Sequence, residues 1–198
     1  MLFIGIDAGT SSLKALAIDE ACNAIAESAA PIPPPRRQGC RVTQDPELWW
    51  QALEEALDRL LAALPREEVK AIAVDGTSGT LLVTDERGRP LSPALMYNDA
   101  CAAEEARGLR RLGLEAPSLA KLLGLPLGKA RHALHQADWL SGRLMGTFGV
   151  TDLNNALKLG FDPLRRTWPD AIQRLGIPFA LLPEVVEPGT PLAPLSPE

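Results

Sequence analysis

The sequence predicts an α/β protein built around a mixed sheet, and three observations carry that prediction. Residues 2–6, 13–18 and 24–28 are short apolar runs separated by polar turns, the pattern of a three-stranded antiparallel meander. An amphipathic helix follows from Pro46 to Leu64. Ala71-Ile72-Ala73-Val74 is then a continuous apolar run, as expected of a strand covered on both faces in the parallel part of a sheet.

The first turn of the meander, Asp7-Ala8-Gly9-Thr10-Ser11-Ser12, reads as a hairpin built to hold phosphate. Gly9 lets a ligand approach the backbone, and the hydroxyls of Thr10, Ser11 and Ser12 stand beside their own N–H groups, as in an anion-binding nest. Asp7 places a carboxylate at the strand end, suited to holding Mg²⁺ through its waters or to orienting a reacting hydroxyl. The competing reading is an ordinary hairpin whose Gly, Ser and Thr only satisfy turn geometry. Lys14 is expected on the solvent face of the second strand, and the proline-rich residues 31–35, with Arg36, Arg37 and Gln38, cannot continue a sheet interior.

Asp45 is the expected N-cap of the helix, Pro46 its first residue, and Glu47 sits where the helix dipole favours an anion. Trp49, Leu53, Leu57 (or Ala56), Leu60 and Leu64 recur on one side; Glu54, Glu55, Asp58 and Arg59 fall mostly on the other. Trp49 and Trp50 therefore read as core and rim rather than as a sugar platform. Pro65 closes the helix.

The run 71–74 delivers a second polar, glycine-rich turn, Asp75-Gly76-Thr77-Ser78-Gly79-Thr80. Ligands collect where the strands of α/β sheets end, so the two turns are expected to face one cleft. The alternative is that Asp75 caps a turn that Gly76 and Gly79 merely permit. Asp85 to Gly88 gives a hairpin signal. Leu95-Met96-Tyr97 ends in Asn98-Asp99, where Asp99 is either a sugar-hydroxyl acceptor or the N-cap of a helix over residues 100–112. A short helix is expected over 117–123 and a longer one over 129–144. His132 and His135 on the latter lack a third ligand and read as surface or satisfied histidines. Residues 151–158 resemble a capped helix start, 169–175 a short helix, and 188–198 a proline-rich tail with little to pack.

Composition bounds the function. A chain of 198 residues with 46% hydrophobic content can bury a sizeable core. Its net charge of -5 argues against nucleic-acid and anionic-membrane partners and favours small molecules. Cys22, Cys40 and Cys101 are odd in number and lack zinc spacing, which predicts free thiols in a reducing cytoplasm. The start, Met1 to Asp7, lacks a basic region and meets a charge too early for a signal peptide or membrane span.

Five stretches in this order resemble the FGGY carbohydrate kinases: Asp7-x-Gly9-Thr10-Ser11-Ser12, Gln44-Asp45-Pro46-x-x-Trp49-Trp50, Asp75 to Thr80, Tyr97-Asn98-Asp99, and Thr151-Asp152-x-x-Asn155-Ala156. Residues 75–80, 95–101, 136–140 and 154–160 look most like the ribulose and xylulose kinase-like branch, D-ribulose kinases in particular. The resemblance implies a ribonuclease H-like (actin-like ATPase) fold and ATP-dependent, Mg²⁺-dependent phosphorylation of a sugar hydroxyl. It implies Asp7 as the catalytic carboxylate that organises Mg²⁺, and Gly9, Thr10, Ser11 and Ser12 as phosphate contacts. Ser11, Asp75, Gly76, Thr77, Ser78 and Asp99 would meet the sugar. No Walker-type lysine loop is present, so Lys14 is not its equivalent.

In the family, the aspartate that accepts the hydroxyl proton and the adenosine pocket both follow a proline-rich stretch corresponding to residues 188–197. The resemblance therefore implies a catalytic base beyond Glu198, absent from residues 1–198. These residues are expected to be an N-terminal sugar-binding domain, ending before its last strand and before an ATP-binding domain, and inactive alone. An actin- or Hsp70-like nucleotide-binding scaffold and a non-catalytic sugar-binding module stay open, as does a homodimer.

Overall fold

In the computed structural model, which describes residues 1–196, alternation of side chains decides the first layer. Leu2, Ile4, Ile6 and Ala8 of β1 (Leu2–Ala8) and Leu13, Ala15 and Ala17 of β2 (Ser12–Asp19) are buried on one face, while Gly5, Asp7, Lys14 and Leu16 are exposed on the other. β3 (Ala24–Pro31) completes the expected meander through antiparallel pairing with β2. A hairpin of β4 (Arg36–Gln38) and β5 (Arg41–Gln44) leads into α1 (Pro46–Leu61). Asp45 caps it as expected, its side chain accepting the Glu47 N–H at 3.1 Å. Trp49, Leu53, Ala56, Leu57 and Leu60 lie on the buried side of α1, which packs on β2 and β3.

β6 (Val69–Gly76) lies parallel to β1 and completes a four-stranded sheet of order β3-β2-β1-β6. One expectation is corrected here. Ala71, Ala73 and Asp75 are exposed, so β6 is covered on one face only, and its outer edge has no strand partner among the described residues. The strand buried along its whole length is β7 (Leu81–Thr84), which sends Leu82 into the core under the first sheet and Leu81 and Val83 into a second core.

β8 (Ala94–Leu95) pairs with both β5 and β7. α2 (Ala103–Arg111) starts later than the predicted helix over 100–112, because Asp99 and Ala100 are irregular and Cys101 and Ala102 are turn; α3 (Pro117–Leu123) falls where expected. The single helix expected over 129–144 is instead β9 (His132–His135), antiparallel to β7, followed by α4 (Gln136–Met145). Asp138 sets that boundary. Its carboxylate accepts the His135 N–H at 2.8 Å and the Thr151 hydroxyl at 2.8 Å, so the helix begins at Gln136. The second sheet has the order β4-β5-β8-β7-β9.

β10 (Val150–Asp152) runs into α5 (Leu153–Ala156), which Asp152 caps at the Asn155 N–H, 2.8 Å. α6 (Asp170–Arg174) follows, and β11 (Glu184–Val186) pairs parallel with β10. The proline-rich tail packs more than expected: Ser196 N–H donates to Leu144 O at 2.7 Å, and residues 189–195 line a hollow beside β6. Pro197 and Glu198 of the predicted tail lie outside the described residues. Among the described residues, no helix is long and apolar enough to cross a membrane.

The cysteines give a further correction. Cys40 and Cys101 form a disulfide, with Cα atoms 5.1 Å apart, and only Cys22 is free. Counting thiols cannot anticipate this. The pairing of β5 with β8 brings the β4–β5 turn against residues 99–101, where Ala100 N–H donates to Cys40 O at 3.0 Å.

Candidate functional site

β1 and β6 are neighbouring parallel strands, so the turns that follow them leave the same end of the sheet. Asp7 is paired in register with Asp75 on β6 and with Lys14 on β2. The three exposed side chains form a row across three strands on the open sheet face. A hollow on that face is lined by Gly5, Asp7, Lys14, Leu16, Glu27 and Ala29.

The first turn is held by one internal hydrogen bond and by links to distant parts of the chain. Gly9 N–H donates to Ser12 O at 3.0 Å, and a Cβ on Gly9 would stand 3.0 Å from that same oxygen, so the tight turn leaves a side chain little room. Ser11 O accepts from the Ile32 N–H at 2.9 Å. Gln44, 3% exposed, adds a longer link: its Nε2 donates to Thr10 O at 3.2 Å and Pro33 O at 2.7 Å, while its Oε1 accepts from buried Trp49 Nε1 at 2.7 Å. The turn is thereby fixed to the helix core, with the Asp7 and Ser11 side chains left exposed.

The second turn is tied directly to the first. Thr77 donates its N–H to Ala8 O at 3.2 Å, and its hydroxyl reaches the same oxygen at 3.4 Å. The Thr77 N–H also meets Oε1 of fully buried Gln136 at 3.0 Å. Asp75 Oδ1 accepts the Gly76 N–H at 2.8 Å, which leaves its second oxygen open to solvent on an exposed residue. Gly79 has φ +81, a left-handed conformation that glycine adopts without strain, and Ser78 is exposed at the top of the turn. Asp7, Gly9, Thr10, Ser11, Ser12, Asp75, Gly76, Thr77 and Ser78 are therefore gathered at one end of two adjacent strands.

Asp99 is placed differently. Its side chain is fully buried; Oδ2 accepts the Val42 N–H at 2.7 Å with Arg41 Nε at 3.6 Å, and Oδ1 accepts the Cys101 N–H at 3.2 Å. It is neither an open sugar acceptor nor the cap of α2, whose N-cap is Ala102. It joins β5 to the chain leaving β8. The two histidines also separate: His132 stacks near Phe148 at 6.2 Å, and buried His135 bonds Ser118 Oγ through Nε2 at 2.9 Å. No group of three acidic, His or Cys side chains suited to a metal is found among the described residues.

Sequence reading passed over three buried polar residues that hold the site: Gln44, Gln136 and Lys121. The first two stand inside stretches quoted for the family resemblance, and Lys121 is the one charge in the apolar helix Pro117-Ser118-Leu119-Ala120-Lys121-Leu122-Leu123. Burial lowers the Lys121 ammonium to about 8, and the negative charge of Asp99 acts in the opposite direction.

Residues 2–128 match the FGGY family of carbohydrate kinases, N-terminal domain. The chain is 31% identical to a xylulose kinase of Streptomyces coelicolor over 95% of its length and 43% of the relative's. It is 28% identical to an apulose kinase of Pectobacterium atrosepticum, over 93% of its length and 42% of the relative's. A solved xylulose kinase from Brucella ovis superposes with a TM-score of 0.91 at 25% identity, covering 100% of this chain and 46% of that one. Ligand-bound xylulose kinase from Lactobacillus acidophilus shares the fold, with a TM-score of 0.88 at 22% identity over 99% of this chain and 44% of that one. The chain thus spans less than half the length of the relatives it matches. The fold is that of the sugar kinases with an actin-like ATPase core, and the chain belongs to the FGGY family of carbohydrate kinases.

Proposed function

We propose that this chain is the sugar-binding half of an ATP-dependent kinase that phosphorylates a hydroxyl of a ketopentose, D-ribulose or D-xylulose. The observation that carries the reading is the joining of two polar turns at the ends of adjacent parallel strands, through the Thr77 N–H and Ala8 O. The exposed row of Asp7 and Asp75, with the N–H groups and hydroxyls of the first turn beside it, suits a phosphate on one side and a polyhydroxyl substrate on the other.

In this reading Asp7 would hold Mg²⁺, an ion that takes few carboxylates and keeps several of its waters. The open oxygens of Asp7 and Asp75 fit that hard cation, which would neutralise charge on the transferred phosphoryl group. Gly9, Thr10, Ser11 and Ser12 meet phosphate, Ser11 also reaching the sugar. Asp75, Gly76, Thr77 and Ser78 meet the sugar hydroxyls. Catalysis is then mainly positioning and charge placement. The group that takes the hydroxyl proton, and the adenosine pocket, belong to the part of the relatives that would follow Glu198 and that residues 1–198 do not span, so the chain alone should bind sugar without turnover. ATP and free ketopentoses locate the reaction in the cytoplasm.

The test is an assay of Mg-ATP-dependent phosphorylation with D-ribulose and D-xylulose, run on this chain and on a protein that continues it to the length of its relatives. Turnover only in the longer protein is expected. Robust multiple turnover by residues 1–198 would place the proton acceptor within them, and absence of ketopentose phosphorylation by the longer protein would remove the assignment.

A further inference from the structure

Lys121 has no role in the reading above, yet it is 3% exposed and lies between the two segments that flank the sugar side. An ammonium removed from water needs acceptors for its protons. Lys121 Nζ finds three carbonyls: Gly79 at 2.9 Å, Met96 at 2.6 Å and Tyr97 at 3.2 Å. Gly79 belongs to the second turn; Met96 and Tyr97 carry the chain from β8 to Asn98. Those segments have little else to hold them together. β7 and β8 share the single pair Leu81 and Leu95, and no backbone hydrogen bond joins residues 76–80 to 96–100 among the described residues. Exposed Ser78 and exposed Asn98 thus stand on two chains whose spacing one buried cation spans.

Gln136 completes the arrangement from the opposite end of the turn, through Thr77. The second turn is therefore clamped at its start by a buried amide and at its finish by a buried ammonium. An apolar side chain at position 121 would leave the Gly79 and Tyr97 carbonyls without their donor, while Met96 O would keep the Asp99 N–H at 3.0 Å, and each unsatisfied buried group is costly. The carbonyls would find water only if the two segments moved apart.

We propose that Lys121 is a positioning residue for sugar recognition: by binding Gly79, Met96 and Tyr97 together it sets the spacing between Ser78 and Asn98, and so the fit of a short polyhydroxyl ligand. The ketopentose part of this proposal rests on the function proposed above; the clamp itself does not.

The test uses the 198-residue chain, with Lys121→Met, which keeps an unbranched apolar stem, and Lys121→Arg, which keeps charge and several donors. The Met variant should exchange amide protons about tenfold faster at residues 77–80 and 96–98, with β1 and α1 unchanged, and bind D-ribulose about tenfold more weakly. The Arg variant should recover part of both effects. Wild-type exchange at both segments in the Met variant would overturn the clamp; faster exchange with unchanged D-ribulose affinity would overturn its role in recognition. Should the Met variant fail to fold, the wild-type protein decides. Its Lys121 ammonium should give a slowly exchanging ¹⁵N signal coupled to the Gly79 and Met96 carbonyl carbons, and a freely exchanging ammonium contradicts the proposal. Failure of the proposed function looks different: wild type shows no response to D-ribulose, while the exchange difference between the variants persists and supports the clamp.

Discussion

Asp7 and Asp99 stand in similar local sequence, since both follow short apolar runs that read as strands, and the fold gives them opposite surroundings. Asp7 ends β1 on the open sheet face, exposed, beside Asp75 and Lys14. Asp99 is closed in, with its oxygens taken by the Val42 and Cys101 N–H groups and by Arg41. One carboxylate is free to meet a ligand. The other has its acceptor capacity committed to the protein. An aspartate at a strand end thus says little about chemistry until the distant N–H groups that approach it are known.

The largest expected effect tests the open member of that pair. In a kinase that contains this domain and its continuation, Asp7→Ala should lower ketopentose phosphorylation by at least about 10²-fold, the scale seen on removal of charge-stabilising groups. Its effect on unfolding free energy should stay within about 0.5 kcal/mol, as for other exposed positions. Wild-type turnover, or a large loss of stability, would erase the contrast with Asp99.

On the closed side, Cys40 and Cys101 flank the Asp99 contacts and are separated by 61 residues. Loop-closure entropy for a link of that span amounts to about 4 kcal/mol in the simplest treatment. Cys40→Ser should therefore lower the urea midpoint markedly, and a thiol reductant should do the same to wild type alone. Identical midpoints with and without reductant would mean that the pair does not form. Asp99→Ala should cost about 2–4 kcal/mol, because it leaves the buried Val42 N–H and the half-buried Cys101 N–H without their acceptor. A change as small as that of Asp7→Ala would show that the two surroundings are energetically alike.

The smallest effect is a pH dependence at Lys121. Its ammonium is lowered by burial from 10.5 to about 8 in the folded chain. Between those values the unfolded chain keeps a proton that the folded chain has released, so stability rises with pH across the window. Asp99 supplies the opposing charge. Urea unfolding from pH 7 to pH 10 should show the rise in wild type and lack that component in Lys121→Met; parallel profiles would mean that the ammonium titrates normally.

What can be read in the sequence divides along the same line. The meander, Asp45 as N-cap, the buried face of α1 and both polar turns depend on residues within a few positions of one another, and their patterns are visible. The full burial of β7, the one-sided exposure of β6, the strand start at His132 and the disulfide depend on partners far along the chain. Lys121 reaches Gly79, and Gln136 reaches Thr77, across 42 and 59 residues. No local period encodes such contacts; a lone lysine in an apolar helix is the nearest sign of one.

Residues 9–12 and 76–80 are proposed to form one site, with Asp99 outside it. The most direct measurement is an NMR map of D-ribulose binding to the ¹⁵N-labelled chain, repeated with Mg-ATP present. Amide shifts are expected in both turns together, with Val42 and the buried Asp99 environment unmoved by direct contact. Shifts confined to one turn, or centred on the hollow between the outer edge of β6 and residues 186–195, would contradict it.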